Sequence, residues 1–193
     1  MVKGKIMGNA VTASRVKIGK KSNIALIGFM CAGKTSVGRL LAASLGKKFI
    51  DTDNVIEKTA YKTISEIFDS EGEIGFRAKA IEAVKKASEA RDAVISCGGG
   101  VVYNKINTDR LKTSSYIVFL KVSPKAVLER AERDGIDRPL LRGKGKMAAI
   151  KKLIALREPL YTAYSDLTVD TTNAGIGEAA KAVISKIKNQ VTR

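Results

Sequence analysis

At 193 residues with 45% hydrophobic side chains, the chain is one domain long enough to bury a single good core. It holds no apolar run of the ~20 residues needed to cross a bilayer and no signal-peptide core, and Cys31 and Cys97 are too few for a disulfide framework. A membrane-spanning or secreted protein is therefore not expected, and a cytoplasmic one is. The balance of 35 Lys+Arg against 19 Asp+Glu, net +16, favours anionic partners. Aromatics are only 5% and Trp is absent, so stacking platforms and nucleic-acid binding are not expected. The charge is read as solubility plus attraction of polyanionic small molecules.

Residues 1–22 contain six cations (Lys3, Lys5, Arg15, Lys17, Lys20, Lys21), no acid and no periodicity. They read as a flexible basic leader ahead of a domain spanning 23–193, with a transit peptide as the alternative. Asn23-Ile24-Ala25-Leu26-Ile27 predicts a buried strand. The run that follows, Gly28-Phe29-Met30-Cys31-Ala32-Gly33-Lys34-Thr35, fits the phosphate-loop pattern GxxxxGK[ST] completely. Such a loop aims successive backbone N–H groups at one point, so Gly28, Met30, Cys31, Ala32 and Gly33 become phosphate-binding candidates. Lys34 is expected to reach the β/γ-phosphates and the Thr35 hydroxyl to ligate Mg²⁺. A helix over 34–46, apolar at Val37, Leu40, Leu41 and Leu45, leaves the loop.

A second strand, Lys48–Asp51, runs into Asp51-Thr52-Asp53. Two carboxylates at the carboxyl end of a strand suit phosphoryl transfer. Asp51 would hold a Mg²⁺-bound water, and Asp53 would orient and deprotonate the attacking hydroxyl. The alternative is that Asp53 caps the helix predicted over 53–60. Two more helices follow over 63–70, opened by a Thr63/Glu66 capping box, and over 73–90, where Arg77 lies in phase with Ile74, Ile81 and Val84. A third strand, Ala93–Cys97, ends in Gly98-Gly99-Gly100, which allows close approach of backbone to ligand or is simply a flexible turn.

A helix over 104–112, a strand Tyr116–Val122 and a helix over 124–133 come next. The basic, Gly-punctuated stretch over about 131–146 reads as a mobile lid closing over ATP, with Arg138 neutralising the transferring phosphoryl group, or else as a solvated loop. The helix over 146–164 carries Arg157 in phase with Met147, Ile150, Ile154 and Tyr161. A last strand, Leu167–Asp170, and a helix over 175–189 complete the chain. An arginine on an apolar stripe must snorkel or meet an anion. A substrate carboxylate gripped by Arg77 and Arg157 satisfies both; salt bridges to Glu73 and Glu158 are the alternative. The alternation of strands and helices implies an α/β fold, a parallel sheet covered on both faces with ligands beyond the carboxyl ends of its strands.

The phosphate loop, Asp51-Thr52-Asp53, Gly72-Glu73-x-x-Phe76-Arg77, Gly98-Gly99-Gly100, Arg138-Pro139-Leu140-Leu141 and Arg157-x-Pro159-Leu160-Tyr161 stand in the order and spacing of shikimate kinases. The resemblance covers essentially residues 23–190. It implies a three-layer P-loop kinase fold, sheet order 2-3-1-4-5, and ATP-dependent, Mg²⁺-assisted phosphorylation of the 3-hydroxyl of shikimate on the route to chorismate. By motif position Asp53, Arg77, Gly99, Gly100 and Arg157 resemble the shikimate contacts. Lys34 and Thr35 resemble the phosphate and Mg²⁺ contacts, with Asp51 supporting the metal. Arg138 is similar to the lid arginine, Arg130 to the arginine beside adenine, and a monomer is implied.

The chain departs from the family pattern in two places. Ala80 stands where the family usually has a Glu that fixes the substrate arginine, so either another acid holds Arg77 or Arg77 is looser and shikimate affinity is reduced. The basic residue often found near adenine is missing from Thr171-Thr172-Asn173-Ala174. Competing readings are a gluconate or nucleoside-monophosphate kinase, a kinase-like binding protein without catalysis, and nucleic-acid binding through the leader. The Arg77/Arg157 pair favours a carboxylate acceptor, and intact Lys34, Thr35, Asp51 and Asp53 favour catalysis.

Overall fold

The computed structural model describes residues 21–136, 139–143 and 145–191. Within them, five parallel strands form one sheet: β1 (Asn23–Ile27), β2 (Lys48–Asp51), β3 (Ala93–Ser96), β4 (Ser115–Lys121) and β5 (Leu167–Asp170), in the order β2-β3-β1-β4-β5. The intervening helices are α1 (Lys34–Leu45), α2 (Thr52–Ala60), α3 (Ile64–Glu89), α4 (Lys105–Ser114), α5 (Pro124–Asp134), α6 (Lys146–Tyr164) and α7 (Ile176–Val191). The sequence expectation of fold and strand order is met. The short 3-10 turns Val101–Tyr103 and Pro139–Leu141 are additions to it.

β1 is buried from end to end because it lies between β3 and β4 with helices over both faces. A strand in that position must be apolar throughout, as Ile24-Ala25-Leu26-Ile27 is. Its one polar residue, Asn23, is satisfied at both ends of its amide. Nδ2 donates to the Ala90 carbonyl at 2.7 Å, and Oδ1 accepts from the Ala93 amide at 3.0 Å. The register sets Leu26 opposite Ser96 and Ser96 opposite Asp51. The carboxyl ends of β1, β3 and β2 therefore lie level, and the phosphate loop, the glycine triplet and Asp51-Thr52-Asp53 emerge side by side.

Two glycines fix the loop's course. At Gly28 φ is 142° and an added Cβ would overlap the Leu120 carbonyl of β4. At Gly33 φ is 87°, the left-handed residue from which α1 starts. Here the demand comes from the backbone angle, since a Cβ would meet only Val37 Cγ2 at 3.6 Å.

α3 joins the two helices expected over 63–70 and 73–90 across Gly72, whose φ of 68° and ψ of −173° break the helical repeat. Ile74, in the first turn after the break, is 87% exposed and is not part of a buried stripe with Arg77; the buried positions after the break are Phe76, Ala83, Val84 and Ala87. Phe76 and Ala83 join Ile56 and Ile67 in a small core between α2 and α3, separate from the main core around the sheet. The Thr63/Glu66 capping box is present, with the Glu66 amide 3.3 Å from Thr63 Oγ1 and the Thr63 amide 2.7 Å from Glu66 Oε2.

The last two residues of the expected leader are bound to the domain. Lys21 lies 3.9 Å from Asp166, and the Ser22 carbonyl accepts from Lys47 at 2.7 Å. Residues 1–20 lie outside the described residues, as do Arg138 and Lys144 of the expected lid; residues 131–134 continue α5.

Candidate active site

At the level carboxyl ends of β1–β3 the structure brings together most of the candidates. Thr35 Oγ1 donates to Asp51 Oδ2 at 2.8 Å and lies 3.4 Å from Ser96 Oγ. This trio of hard oxygen donors sits where the loop, β2 and β3 converge. The residue that caps α2 is Asp51, whose Oδ1 accepts from the Asp53 amide at 3.1 Å. The capping role considered for Asp53 thus falls to Asp51, and Asp53 keeps its carboxylate for other work.

Asp53 Oδ1 is buried and has no hydrogen-bond partner among the described residues. Burial, and then the neighbouring Asp51 charge, push its carboxyl up to about 6, against the pull of Lys34. Lys34 Nζ donates to the Phe29 carbonyl at 2.8 Å, and its burial holds its pKa below the usual lysine range.

The glycine triplet makes room for side chains as well as for a ligand. A Cβ on Gly98 would stand 2.5 Å from Asp53 Oδ1, and one on Gly100 would overlap the Arg77 guanidinium. Arg77 is gripped from its own helix by Glu73 Oε1, at 3.1 Å from Nε and 2.6 Å from Nη2. Arg157 is 2% exposed, donates to Tyr103 Oη at 3.0 Å and to the Gly99 carbonyl at 3.4 Å, and faces no carboxylate among the described residues. Glu158, the alternative partner in the sequence reading, pairs instead with Lys121 at 2.5 Å. Tyr161 Oη also donates to the Gly99 carbonyl.

Two cavities meet at this point. One, of about 630 Å³, is lined by Asp53, Arg77, Arg157, the glycine triplet and apolar residues of α3. The other, of about 930 Å³, runs along the phosphate loop to Arg130 and the Thr171–Ala174 segment. Cys31, Lys34, Thr35 and Ile136 line both. A nucleotide in the second cavity would present its terminal phosphate to an acceptor in the first.

The family model for shikimate kinase matches residues 30–188. The chain belongs to the shikimate kinase family. It is 45% identical over 166 residues to the shikimate kinase of Moorella thermoacetica, covering 86% of this chain and 92% of that protein. With the enzyme of Symbiobacterium thermophilum it shares 35% identity over 172 residues, 89% of this chain and 99% of the relative. The structure of the Acinetobacter baumannii shikimate kinase in complex with shikimate superposes with a TM-score of 0.85 at 33% identity, covering 89% of this chain and 95% of that one.

In this shikimate kinase, the acid missing at Ala80 has a counterpart on the other side of Arg77, at Glu73. Ala80 itself lines the acceptor cavity and packs on the small α2–α3 core. Arg130 donates to the carbonyls of Cys31, Thr171 and Thr172, at 2.9, 2.6 and 3.1 Å. It thereby ties the phosphate loop to the segment after β5 and walls the second cavity. Sequence reasoning missed three participants. Ser96 carried a usable signal, a hydroxyl ending the apolar run Ala93-Val94-Ile95. Tyr161 was visible in an apolar stripe and at the end of the Arg157-x-Pro159-Leu160-Tyr161 motif, but with no role attached. Tyr103 carried no signal, because nothing in its neighbourhood marks it.

Proposed function

We propose that the chain transfers the γ-phosphoryl group of ATP to the 3-hydroxyl of shikimate, with Asp53 as general base and Arg77 and Arg157 as the clamp on the substrate carboxylate. The observation that carries the reading is the shared wall of the two cavities. An unpartnered Asp53 oxygen and a buried, acid-free Arg157 face the acceptor side, while Lys34 and Thr35 belong to both.

Arg77 and Arg157 seize the carboxylate as charge-assisted donors and orient the ring. The Gly99 and Gly100 backbone closes around it. Asp53 accepts the proton of the 3-hydroxyl as that oxygen attacks the γ-phosphorus and the bond to the β,γ-bridging oxygen breaks, releasing ADP. Lys34 and the loop amides from Gly28 to Gly33 stabilise the charge gathering on the phosphoryl oxygens. The Thr35 hydroxyl and Asp51 carboxylate are hard oxygen donors that would hold Mg²⁺, which would supply charge neutralisation at the phosphates. Arg130 walls the nucleotide side, and Arg138, outside the described residues, is assigned to the lid over the phosphates.

Release of ADP is measured with and without shikimate in a coupled assay; no shikimate-dependent release would sink the reading. We also propose that the enzyme works as a cytoplasmic monomer, as the family resemblance implies; no described helix is long and apolar enough to cross a membrane. Sedimentation at assay concentration checks the monomer.

A further inference from the structure

Both arginines of the acceptor cavity share a neighbour that does not line it. Tyr103 ends the 3-10 turn that follows the glycine triplet, and its amide donates to the Gly100 carbonyl at 3.2 Å. Val101 and Val102 anchor that turn in the core, so Tyr103 is held in place while itself remaining 43% exposed. Its hydroxyl accepts from Arg157 Nε at 3.0 Å. The face of its ring lies 5.0 Å from Arg157 Cζ and 5.7 Å from Arg77 Cζ.

Two guanidinium groups aimed at one small carboxylate repel each other until it arrives. Glu73 restrains Arg77, but among the described residues no carboxylate restrains Arg157. A ring whose negative face attracts both cations opposes their separation, and a hydroxyl acceptor on Nε fixes the rotation of the Arg157 plane. With Nε held by Tyr103 and Nη1 by the Gly99 carbonyl, Nη2 is the guanidinium nitrogen left without a hydrogen bond among the described residues. We infer that Tyr103 is a positioning residue, holding Arg77 and Arg157 in the arrangement in which both forks meet one substrate carboxylate. The inference rests on shikimate being the acceptor.

Tyr103→Phe keeps the ring and removes the acceptor; Tyr103→Ala removes both. In the full-length enzyme, KM for shikimate should rise about tenfold in Tyr103→Phe and about a hundredfold in Tyr103→Ala, the usual scale of a lost hydrogen bond to charge and of lost cation–π contacts. KM for ATP and the melting temperature should stay near the wild-type values, because the valines, not the tyrosine, anchor the turn. Calorimetry then compares shikimate with its methyl ester, which offers no carboxylate. The three proteins should differ in binding the acid and agree in binding the ester. Unchanged KM in both variants, or equal losses for acid and ester, overturns the positioning role. A wild-type enzyme that releases no ADP on addition of shikimate overturns the acceptor assignment itself.

Discussion

Asp53 is the proposed general base, and its environment sets two measurable consequences. Asp53→Asn should lower kcat by about 10²–10⁴-fold, the range of a lost general base, while ATP binding stays near normal. Retained turnover would remove Asp53 from that role. The second consequence concerns stability in the metal-free protein. The folded-state carboxyl is pushed up from 3.8 to about 6, so the folded state binds its proton more tightly than the unfolded chain does. Its stabilising contribution is complete below about pH 4 and is lost as pH rises through about 6. At about 1.4 kcal/mol per unit, the loss reaches about 3 kcal/mol by neutral pH. Asp53→Asn should therefore melt higher than wild type at pH 7.5, with the gap closing towards pH 4; a gap constant with pH would contradict the assignment. Arg157 carries a similar conflict between fold and function. It is buried without an acid, so Arg157→Met, which keeps volume and removes the charge, should leave thermal stability equal or raised. The same variant should raise KM for shikimate by about a hundredfold or more through loss of a charge-assisted clamp. A large fall in melting temperature would mean that Arg157 serves the core instead.

At the scale of elements, the turn after β3 is specified by the side chains it admits. Gly100→Ala would drive a methyl group into the Arg77 guanidinium, and Gly98→Ala would crowd Asp53 Oδ1. The expected split is a raised KM for shikimate in Gly100→Ala and a lowered kcat in Gly98→Ala, each by about tenfold or more for a displacement near 1 Å. Identical kinetic effects of the two substitutions would show that the triplet acts as a plain flexible turn. α3 makes a related point. Gly72 breaks the repeat, and the second half of the helix restarts with Phe76 in the α2–α3 core and Arg77 beside the cavity. Ile74, in the first turn after Gly72, is exposed, so the apolar phase read across Ile74–Val84 overcounted the stripe.

On the scale of the whole molecule, the two cavities communicate through residues they share. Cys31, half-buried on the phosphate loop with φ 58°, lines both, whereas Cys97 is buried and its thiol is pushed well above the usual range. Alkylation should accordingly label Cys31 first, slow turnover, and be retarded by bound ATP; peptide mapping that finds equal labelling with and without ATP would refute this. Sequence alone was sufficient for the alternation of strands and helices, the phosphate loop, the Asp51/Asp53 pair and the two arginines. These depend on local patterns, namely apolar period, glycine placement and charge at strand ends, that a chain displays wherever it folds. Tertiary structure decided which of two adjacent acids caps a helix and which stays unpartnered. It also decided that Glu73 holds Arg77, that Arg157 has no acid beside it, and that Ser96, Tyr103 and Tyr161 complete the site. Those outcomes depend on parallel register and on contacts such as Tyr103 to Arg157, made across a fold by residues that sequence spacing does not relate.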